Sequence, residues 1–137
     1  KKRREFGSVT GRLRRCGWFD AVQCKKAINI AGIDSIALTK IDVLDKFKKI
    51  KICYEYKIGK KIIKFMPNSN KMLNNIKPRY LILDGWWANT IGIKNKKMLP
   101  QKAQKFIKVI ENILNIPINF LSNGPDRNDI INLKKIT

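Results

Sequence analysis

Residues 35–42 read Ser-Ile-Ala-Leu-Thr-Lys-Ile-Asp, a short apolar run that ends in a lysine and an aspartate. The apolar part, residues 35–39, predicts a strand buried on both faces, as is typical of parallel sheets. Residues 118–121 predict a similar strand, followed by a polar turn over residues 122–127. Because ligands bind beyond the carboxyl ends of parallel strands, residues 40–42 and the polar turn are expected to face one pocket.

Helical periodicity and alternating patterns predict the remaining elements. These are a helix over residues 18–30 with Asp20 in its first turn and Gly32 as its stop signal, an antiparallel hairpin over residues 50–65 with Gly59 in the turn, a loop over most of residues 67–75, a strand over residues 79–83, a helix over residues 100–114 with Pro100 at its first position, and a last strand over residues 129–133. This mixture of strands, helices and one antiparallel insert indicates the α/β class.

The first strand of the hairpin is expected to present two different faces. Its alternation places Ile50, Ile52, Tyr54 and Tyr56 on one face, and Lys51, Cys53, Glu55 and Lys57 on the other. The tryptophans (Trp18, Trp86 and Trp87) are expected to pack in the core, and Cys16 and Cys24 are expected to be small buried residues.

Composition restricts the classes of function that this chain can have. With 137 residues and 44% hydrophobic content, one compact core is expected. Three cysteines without a C-x-x-C spacing favour a reducing compartment and argue against a zinc site. The absence of His excludes catalytic triads and metal sites that depend on histidine in this chain. No apolar run has the length of a membrane span, and the start at Lys1 predicts a piece of something larger.

The strongest bias is a net charge of +20, from 30 basic and 10 acidic residues. Such a charge is typical of nucleic-acid-binding proteins, so a basic nucleic-acid-binding module is one interpretation. However, Lys is scattered over every segment among abundant Ile and Asn, which a nucleotide-biased genome would also produce. Few aromatic residues interleave with the basic ones, as a base-stacking surface would require. Nucleic acid is therefore the less favoured partner.

Two polar segments have side chains that suit a purine nucleotide. Guanine presents its N1–H and exocyclic amine side by side, and an ionised carboxylate such as that of Asp42 accepts from both. The aliphatic stem of Lys40 can lie along the base. Guanidinium groups bind carboxylates and phosphates bidentately, so Arg12, Arg14 and Arg15 beside Gly11 predict an anion site. In an extended loop, Arg12 and Arg14 share a face that Arg15 does not. The alternative interpretations are a solvated Lys-x-Asp pair and a solvated basic loop.

Three strings carry a resemblance to a known family: Val-Thr-Gly-Arg-Leu-Arg-Arg-Cys-Gly-Trp at residues 9–18, Leu-Thr-Lys-Ile-Asp-Val-Leu-Asp at residues 38–45, and Ser-Asn-Gly-Pro-Asp-Arg at residues 122–127. In this order and spacing they resemble the C-terminal part of adenylosuccinate synthetase, over essentially the whole chain (residues 1–137). The resemblance implies part of a P-loop-NTPase-like, mostly parallel sheet with flanking helices and an antiparallel hairpin insert. It also implies a cytoplasmic, homodimeric enzyme that uses GTP and Mg²⁺ to join L-aspartate to IMP.

The resemblance also implies roles for individual residues. The loop that closes on aspartate is matched by Ser8, Val9, Thr10, Gly11, Arg12, Leu13 and Arg14, of which Arg12 would also contact IMP and Arg14 the GTP side. The guanine pocket is matched by Lys40, Ile41, Asp42, Ser122, Asn123 and Gly124. Two departures from the family pattern affect loop stiffness rather than chemistry. Leu13 stands where relatives carry Pro or Arg, and Asp84 replaces the proline of a Pro-Gly-Trp turn.

Other parts of the family's machinery are not matched in this sequence. The Gly-rich phosphate loop, the Asp general base, the catalytic His and most of the IMP and Mg²⁺ sites belong to the N-terminal part of the family. The resemblance therefore predicts no catalytic residue and no metal ligand here, and a chain that is inactive alone. An inactive product of a split gene is the remaining alternative.

Overall fold

The computed structural model describes residues 6–7 and 9–133. The prediction for Ser8 lies outside these residues. The elements, in chain order, are strand β1 (Phe19–Asp20), helix α1 (Ala21–Ala31), strand β2 (Ile36–Leu38), a 3₁₀ helix (Ile41–Leu44), strands β3 (Lys49–Ile58) and β4 (Lys61–Ile63), the single-turn helix α2 (Asn70–Leu73), strand β5 (Lys77–Asp84), a second 3₁₀ helix (Lys96–Met98), helix α3 (Gln101–Leu114), and strands β6 (Ile118–Ser122) and β7 (Ile130–Asn132).

The strands form two small mixed sheets, which corrects the prediction of one mostly parallel sheet. In the first sheet β1 runs parallel to β3, whereas β4 and β5 are both antiparallel to β3. In the second sheet β2 is parallel to β6, and β7 is antiparallel to β6. The mixed α/β class is confirmed. The antiparallel pairs arise because short connections such as Gly59-Lys60 permit hairpins, whereas parallel pairs need long crossovers.

Helix α3 packs its apolar face into the main hydrophobic core. Its residues Ala103, Phe106, Ile107, Ile110 and Leu114 are buried there, together with Trp86 and residues from both sheets. A smaller cluster contains Val22, Cys53, Tyr56 and Ile63. The apolar face of this helix therefore forms a large part of the core. Pro100 is the N-cap residue and not, as was predicted, the first residue of the helix.

Helix α1 begins later than predicted, because Asp20 is its N-cap rather than part of its first turn. The Asp20 carboxylate accepts hydrogen bonds from the main-chain N–H groups of Val22 and Gln23, at 3.0 and 3.1 Å. A side chain in this position satisfies N–H groups that have no partner within the helix. Gly32 ends the helix in the left-handed conformation, at φ 62°, as the sequence predicts.

The predicted two-faced alternation of β3 is interrupted at residues 53–55, where Cys53 is buried beside Ile52. A register shift against β5 between Cys53 and Glu55 leaves Tyr54 exposed and Glu55 buried, the reverse of the prediction. Such an irregularity changes the facing of side chains locally, and beyond it Tyr56 is again buried, like Ile50 and Ile52, while Lys57 is exposed. Glu55 tolerates burial because Arg79 on β5 donates a hydrogen bond to its carboxylate, with a 2.5 Å separation.

Three smaller expectations are also corrected. Strand β2 is not buried on both faces, since Ala37 is exposed. Trp87 is 70% exposed and Cys16 is exposed, so neither is a core residue, whereas Trp86 is buried and Trp18 packs against the core. Cys24 is partly buried against the same core.

Candidate functional site

The pairing of β2 with β6 brings two of the three singled-out segments to one edge of a sheet. Leu38 pairs with Leu121 in parallel register. The chain therefore leaves both strands at the same level, into residues 39–42 on one side and residues 122–124 on the other. The 3₁₀ helix that follows β2 packs against β6. Residues 40–42 and 122–124 therefore lie at the same edge of the sheet, as the sequence predicts.

Local backbone geometry determines how Asp42 is presented. Lys40 adopts the left-handed conformation, at φ 61° and ψ 40°, and turns the chain directly into the 3₁₀ helix. The helix places Asp42 in its first turn, with Ile41 buried beneath it at 1% exposure. Asp42 is itself only 7% exposed, whereas the side chain of Lys40 is exposed. A carboxylate in such a partly dehydrated position makes stronger hydrogen bonds than one in bulk water.

The second half of the edge is a turn closed by Asp129. The main-chain N–H of Asn123 donates to the Asp129 carbonyl at 3.0 Å, and the Asp129 carboxylate accepts from the N–H of Asp126 at 3.2 Å. A Cβ at Gly124 would lie 2.1 Å from the Asp129 carboxylate oxygen Oδ2. Only glycine fits this close approach. Lys94 lies 3.5 Å from the other carboxylate oxygen of Asp129 and so pairs with it electrostatically.

Thr90, which the sequence analysis did not single out, connects the two halves of this edge. Its N–H and hydroxyl donate to the carboxylate of Asp45 at 2.8 and 3.0 Å. Its carbonyl accepts a hydrogen bond from the side-chain amide of Asn123 at 2.5 Å. Asp45 also accepts from the indole N–H of Trp86 at 2.6 Å. Thr90 and Asn123 are both 0% exposed. These hydrogen bonds join residues that are 33 and 45 positions apart in the sequence, so no local sequence pattern could have predicted them.

The side chain of Asn123 points into the protein rather than toward an open pocket. Its amide nitrogen also donates to the carbonyl of Ile93 at 2.8 Å, and its Oδ1 is buried without a hydrogen-bond donor in the described part of the chain. A ligand at this edge would therefore meet the main chain of Asn123 and not its side chain. The hydroxyl of Ser122 lies within 3.3 Å of the Gly124 carbonyl, which keeps the turn compact.

The segment that carries Arg12, Arg14 and Arg15, referred to below as the arginine loop, is a separate, exposed structure. Gly7 donates to the Arg12 carbonyl at 2.8 Å and Gly11 donates to the Gly7 carbonyl at 2.9 Å, so the loop closes on itself. A single antiparallel bridge between Phe6 and Leu13 lies at its base. Gly11 takes the left-handed conformation, at φ 63°. All residues from 11 to 17, including the three arginines, are exposed, and apart from the bridge at Leu13 they have no regular secondary structure.

The strongest pKa shifts lie away from this edge, in the smaller hydrophobic cluster. Burial raises the pKa of Cys53 to about 11, and the nearby Asp20 carboxylate adds to the shift. Burial also raises the pKa of Tyr56, whose hydroxyl donates to Asp20 at 2.5 Å. Shifts in these directions suppress ionisation of the thiol and the phenol, so these groups are suited to a structural role and not to nucleophilic chemistry.

Two general features of the described residues bear on function. In residues 6–7 and 9–133, no three His, Cys, Asp or Glu side chains gather into an arrangement that could hold a metal ion. Within the same residues, no helix has the length and apolar character that a membrane crossing requires.

Comparison with known proteins places the chain among well-defined relatives. A sequence profile described as Adenylosuccinate synthetase matches residues 1–131. The chain is 47% identical over 131 residues to the adenylosuccinate synthetase of Ehrlichia chaffeensis, covering 96% of this chain and 30% of the relative. It is 51% identical over 124 residues to that of Blochmanniella floridana, covering 90% of this chain and 28% of the relative.

A solved structure agrees with these matches. The structure described as fully ligated adenylosuccinate synthetase from Plasmodium falciparum superposes with a TM-score of 0.91 at 32% identity, covering 95% of this chain and 32% of that one. Fold and site together define a mixed α/β protein with a polar edge beyond two parallel strands. The chain belongs to the adenylosuccinate synthetase family. It spans about 30% of the length of the relatives that it matches.

Proposed function

We propose that this chain supplies two binding elements of an adenylosuccinate synthetase, the enzyme that joins L-aspartate to IMP with hydrolysis of GTP. The first element is a guanine-binding edge formed by residues 40–42 and 122–124. The second is the arginine loop, which would receive aspartate. The observation that carries the proposal is the parallel pairing of Leu38 with Leu121, because this pairing brings the two halves of the guanine edge together.

In the guanine edge, Asp42 accepts hydrogen bonds from N1–H and the exocyclic amine of the base. Adenine presents an acceptor nitrogen at the first of these positions and would be repelled. The aliphatic stem of Lys40, exposed beside Asp42, covers one face of the ring. Because the Asn123 side chain is used inside the protein, residues 122–124 contribute their main-chain groups and the Ser122 hydroxyl.

In the arginine loop, Thr10 and the guanidinium groups hold the carboxylates of aspartate. Arg12 also contacts IMP, and Arg14 reaches toward the GTP side. An exposed loop with glycine in the left-handed conformation suits this role, because it can close over a small dicarboxylate when the substrate binds. The forked geometry of arginine then provides two parallel hydrogen bonds to each carboxylate.

The remaining chemistry would come from outside the described residues. Mg²⁺ assists phosphoryl transfer in this family, and the described residues include no cluster that fits it, so its ligands are proposed to lie elsewhere. The same applies to the Gly-rich phosphate loop, the general base and the catalytic His. A homodimer is proposed from the family alone.

Two measurements test this proposal. The purified chain should form no measurable adenylosuccinate from IMP, GTP and aspartate, because phosphoryl transfer needs positioned phosphates, a metal and an aligned nucleophile. GTP added to isotope-labelled chain should shift the NMR amide signals of residues 39–44 and 122–126 more than ATP does. Turnover by the chain alone, or equal shifts with both nucleotides, would contradict the proposal.

A basic nucleic-acid-binding module is the second candidate, favoured by the net charge of +20. In that case Lys and Arg would matter and Asp42 would not. Affinity for a polyanion would then fall steeply as salt is raised, because binding releases counterions.

A further inference from the structure

We infer that Asp45, Thr90 and Asn123 form a positioning bridge that sets the spacing of the proposed guanine edge and thereby its selectivity for the base. The inference rests on the proposed function, because it concerns how the same edge is held. None of the three side chains is expected to touch the nucleotide. Each acts through the main chain that presents Asp42 or residues 122–124.

The Asp42 side of the bridge is fixed by the end of the 3₁₀ helix. The main-chain N–H of Asp45 donates to the Asp42 carbonyl at 3.2 Å, which closes the turn that carries Asp42. The Asp45 carboxylate is then held by three donors: the N–H and hydroxyl of Thr90 and the indole N–H of Trp86. Rotation of this turn would break these hydrogen bonds to a charged acceptor, which are stronger than hydrogen bonds between neutral groups.

The other side of the bridge is fixed by Asn123. Its side-chain amide donates to the carbonyls of Thr90 and Ile93 at 2.5 and 2.8 Å, and its own N–H donates to Asp129 at 3.0 Å. The peptide groups of residues 122–124 are therefore tied to the same short segment, residues 90–93, that holds Asp45. Thr90 is the shared member, because its N–H faces Asp45 and its carbonyl faces Asn123.

The position of Trp86 is fixed independently, which makes the bridge a rigid reference for the edge. The Trp86 indole is 2% exposed and packs against Phe106 of α3, with ring centroids 5.7 Å apart. Its neighbour Gly85 lies so close to the Phe47 carbonyl that a Cβ there would be 1.8 Å from the oxygen. The segment from Gly85 to Thr90 is thus anchored on the main core, and Asp45 and Asn123 take their positions from it.

The preference for guanosine over inosine is a more direct measure of the spacing between Asp42 and residues 122–124 than the affinity for either nucleoside alone. Guanosine and inosine differ only by the exocyclic amine, and both are uncharged, so the high positive charge of the chain does not bias the comparison. The preference for guanosine depends on a second hydrogen bond to the Asp42 carboxylate. Such a bond is worth about 10- to 100-fold in affinity and is lost when the acceptor is displaced. Simple destabilisation of the fold lowers both affinities by the same factor.

The test is NMR titration of the full chain with guanosine and with inosine, for the wild type and two isosteric variants. Asp45→Asn presents an NH₂ group where a donor from Thr90 or Trp86 must be accepted, and Asn123→Asp presents oxygens to two carbonyls. Both variants should reduce the guanosine preference at least about fivefold, since displacement removes one charge-assisted hydrogen bond. Thr90→Ser, which keeps the hydroxyl, N–H and carbonyl, should retain it.

Matched controls separate positioning from other effects. Asp34→Asn makes the same carboxylate-to-amide change at an exposed site at the opposite end of β2, and Ile63→Val loosens the smaller hydrophobic cluster. Both should leave the guanosine-to-inosine ratio unchanged. In an Asp42→Asn background, Asp45→Asn should change the ratio no further. If Asp45→Asn fails to fold, as its amide spectrum would show, Asn123→Asp decides the question.

The outcomes distinguish this inference from the function on which it rests. A wild-type chain with no preference for guanosine would overturn the proposed function. A wild-type preference that survives unchanged in folded Asp45→Asn and Asn123→Asp would overturn the bridge alone. Equal loss of affinity for both nucleosides in these variants would assign the three residues a purely structural role and would also overturn it.

Discussion

Leu38 and Leu121 are paired neighbours in the parallel strands β2 and β6, and this register brings the two halves of the proposed guanine edge together. Beyond Leu38 the chain turns toward Lys40 and Asp42, and after Ser122, the last residue of β6, it enters the turn that contains Gly124. A slip of one residue would rotate the side chains of one strand to the opposite face. The arrangement of the edge therefore depends on sheet pairing as much as on the polar residues themselves.

Asp42→Asn is expected to switch the preferred base from guanine to xanthine in a complete enzyme that contains this segment. Asn offers one acceptor and one donor, so it clashes with the guanine amine and matches the carbonyl that xanthine has in its place. A hydrogen-bonding site rejects a mismatched partner by up to roughly 10⁴-fold. Rates with GTP and XTP as phosphoryl donors provide the measurement. Loss of activity with both would make Asp42 structural, and unchanged use of GTP would refute the assignment.

Arg12→Leu is expected to raise the aspartate KM sharply in the same complete enzyme. A substrate carboxylate left without its charged partner in a closed site costs about 2–5 kcal/mol, which corresponds to tens to thousands of fold. Arg15→Leu is the matched control and should have much less effect, because alternate residues of an extended loop face opposite sides. Both arginines are exposed in the structure, so neither substitution removes core packing. An equal increase in the aspartate KM from both substitutions would refute the prediction that Arg12 and Arg15 face opposite sides of the loop.

Gly124→Ala should destabilise the chain, because the new methyl group would lie 2.1 Å from the carboxylate of Asp129. Relief of such overpacking typically costs about 1–3 kcal/mol. Gly17→Ala is a suitable control, since a Cβ at that position meets nothing within 4 Å. It should change the free energy of unfolding by less than about 0.5 kcal/mol. Urea denaturation of the three proteins measures both values, and similar stabilities would show that the turn can rearrange freely.

Tyr56→Phe should lower the free energy of unfolding by about 1–3 kcal/mol near neutral pH, because a hydrogen bond to the Asp20 carboxylate is lost. The folded-state pKa of Tyr56 is raised above its ordinary value of 10.0 by burial and by the hydrogen bond to Asp20. The stabilisation is therefore fully present below about pH 10 and is lost as the pH rises through the folded-state pKa. The difference between wild type and variant should shrink steadily above pH 10, and a constant difference would contradict this assignment.

Local patterns predicted most of the elements, and tertiary pairing explains where they failed. The periodicity of α3 and the hairpin turn at Gly59 are local, and both were confirmed. The exposure of Tyr54 and the burial of Glu55 depend on a bulge against β5, which is distant in sequence. Residues 67–75 were predicted to be mostly loop, and they contain only the single turn α2.

The candidate site was predictable to a similar extent. The convergence of residues 40–42 and 122–124 followed from the rule for parallel strands, and the pairing of β2 with β6 confirms it. The bridge through Thr90 could not be predicted, because neither Thr90 nor Asp45 has a sequence neighbour that reveals its partner. The inward orientation of Asn123 also emerged only from the structure. The roles of Asp42, Lys40 and the arginines remain predictions that binding measurements can test.

Competition between GTP and ATP for the chain, at low and at high salt, tests the guanine-binding role most directly. The net charge of +20 attracts both triphosphates equally, and this contribution weakens as salt screens it. The account predicts that GTP binds more tightly than ATP at both salt concentrations, and that Asp42→Ala removes the difference. Equal affinity for the two nucleotides, falling together and steeply as salt is raised, would contradict it and favour a polyanion-binding surface instead.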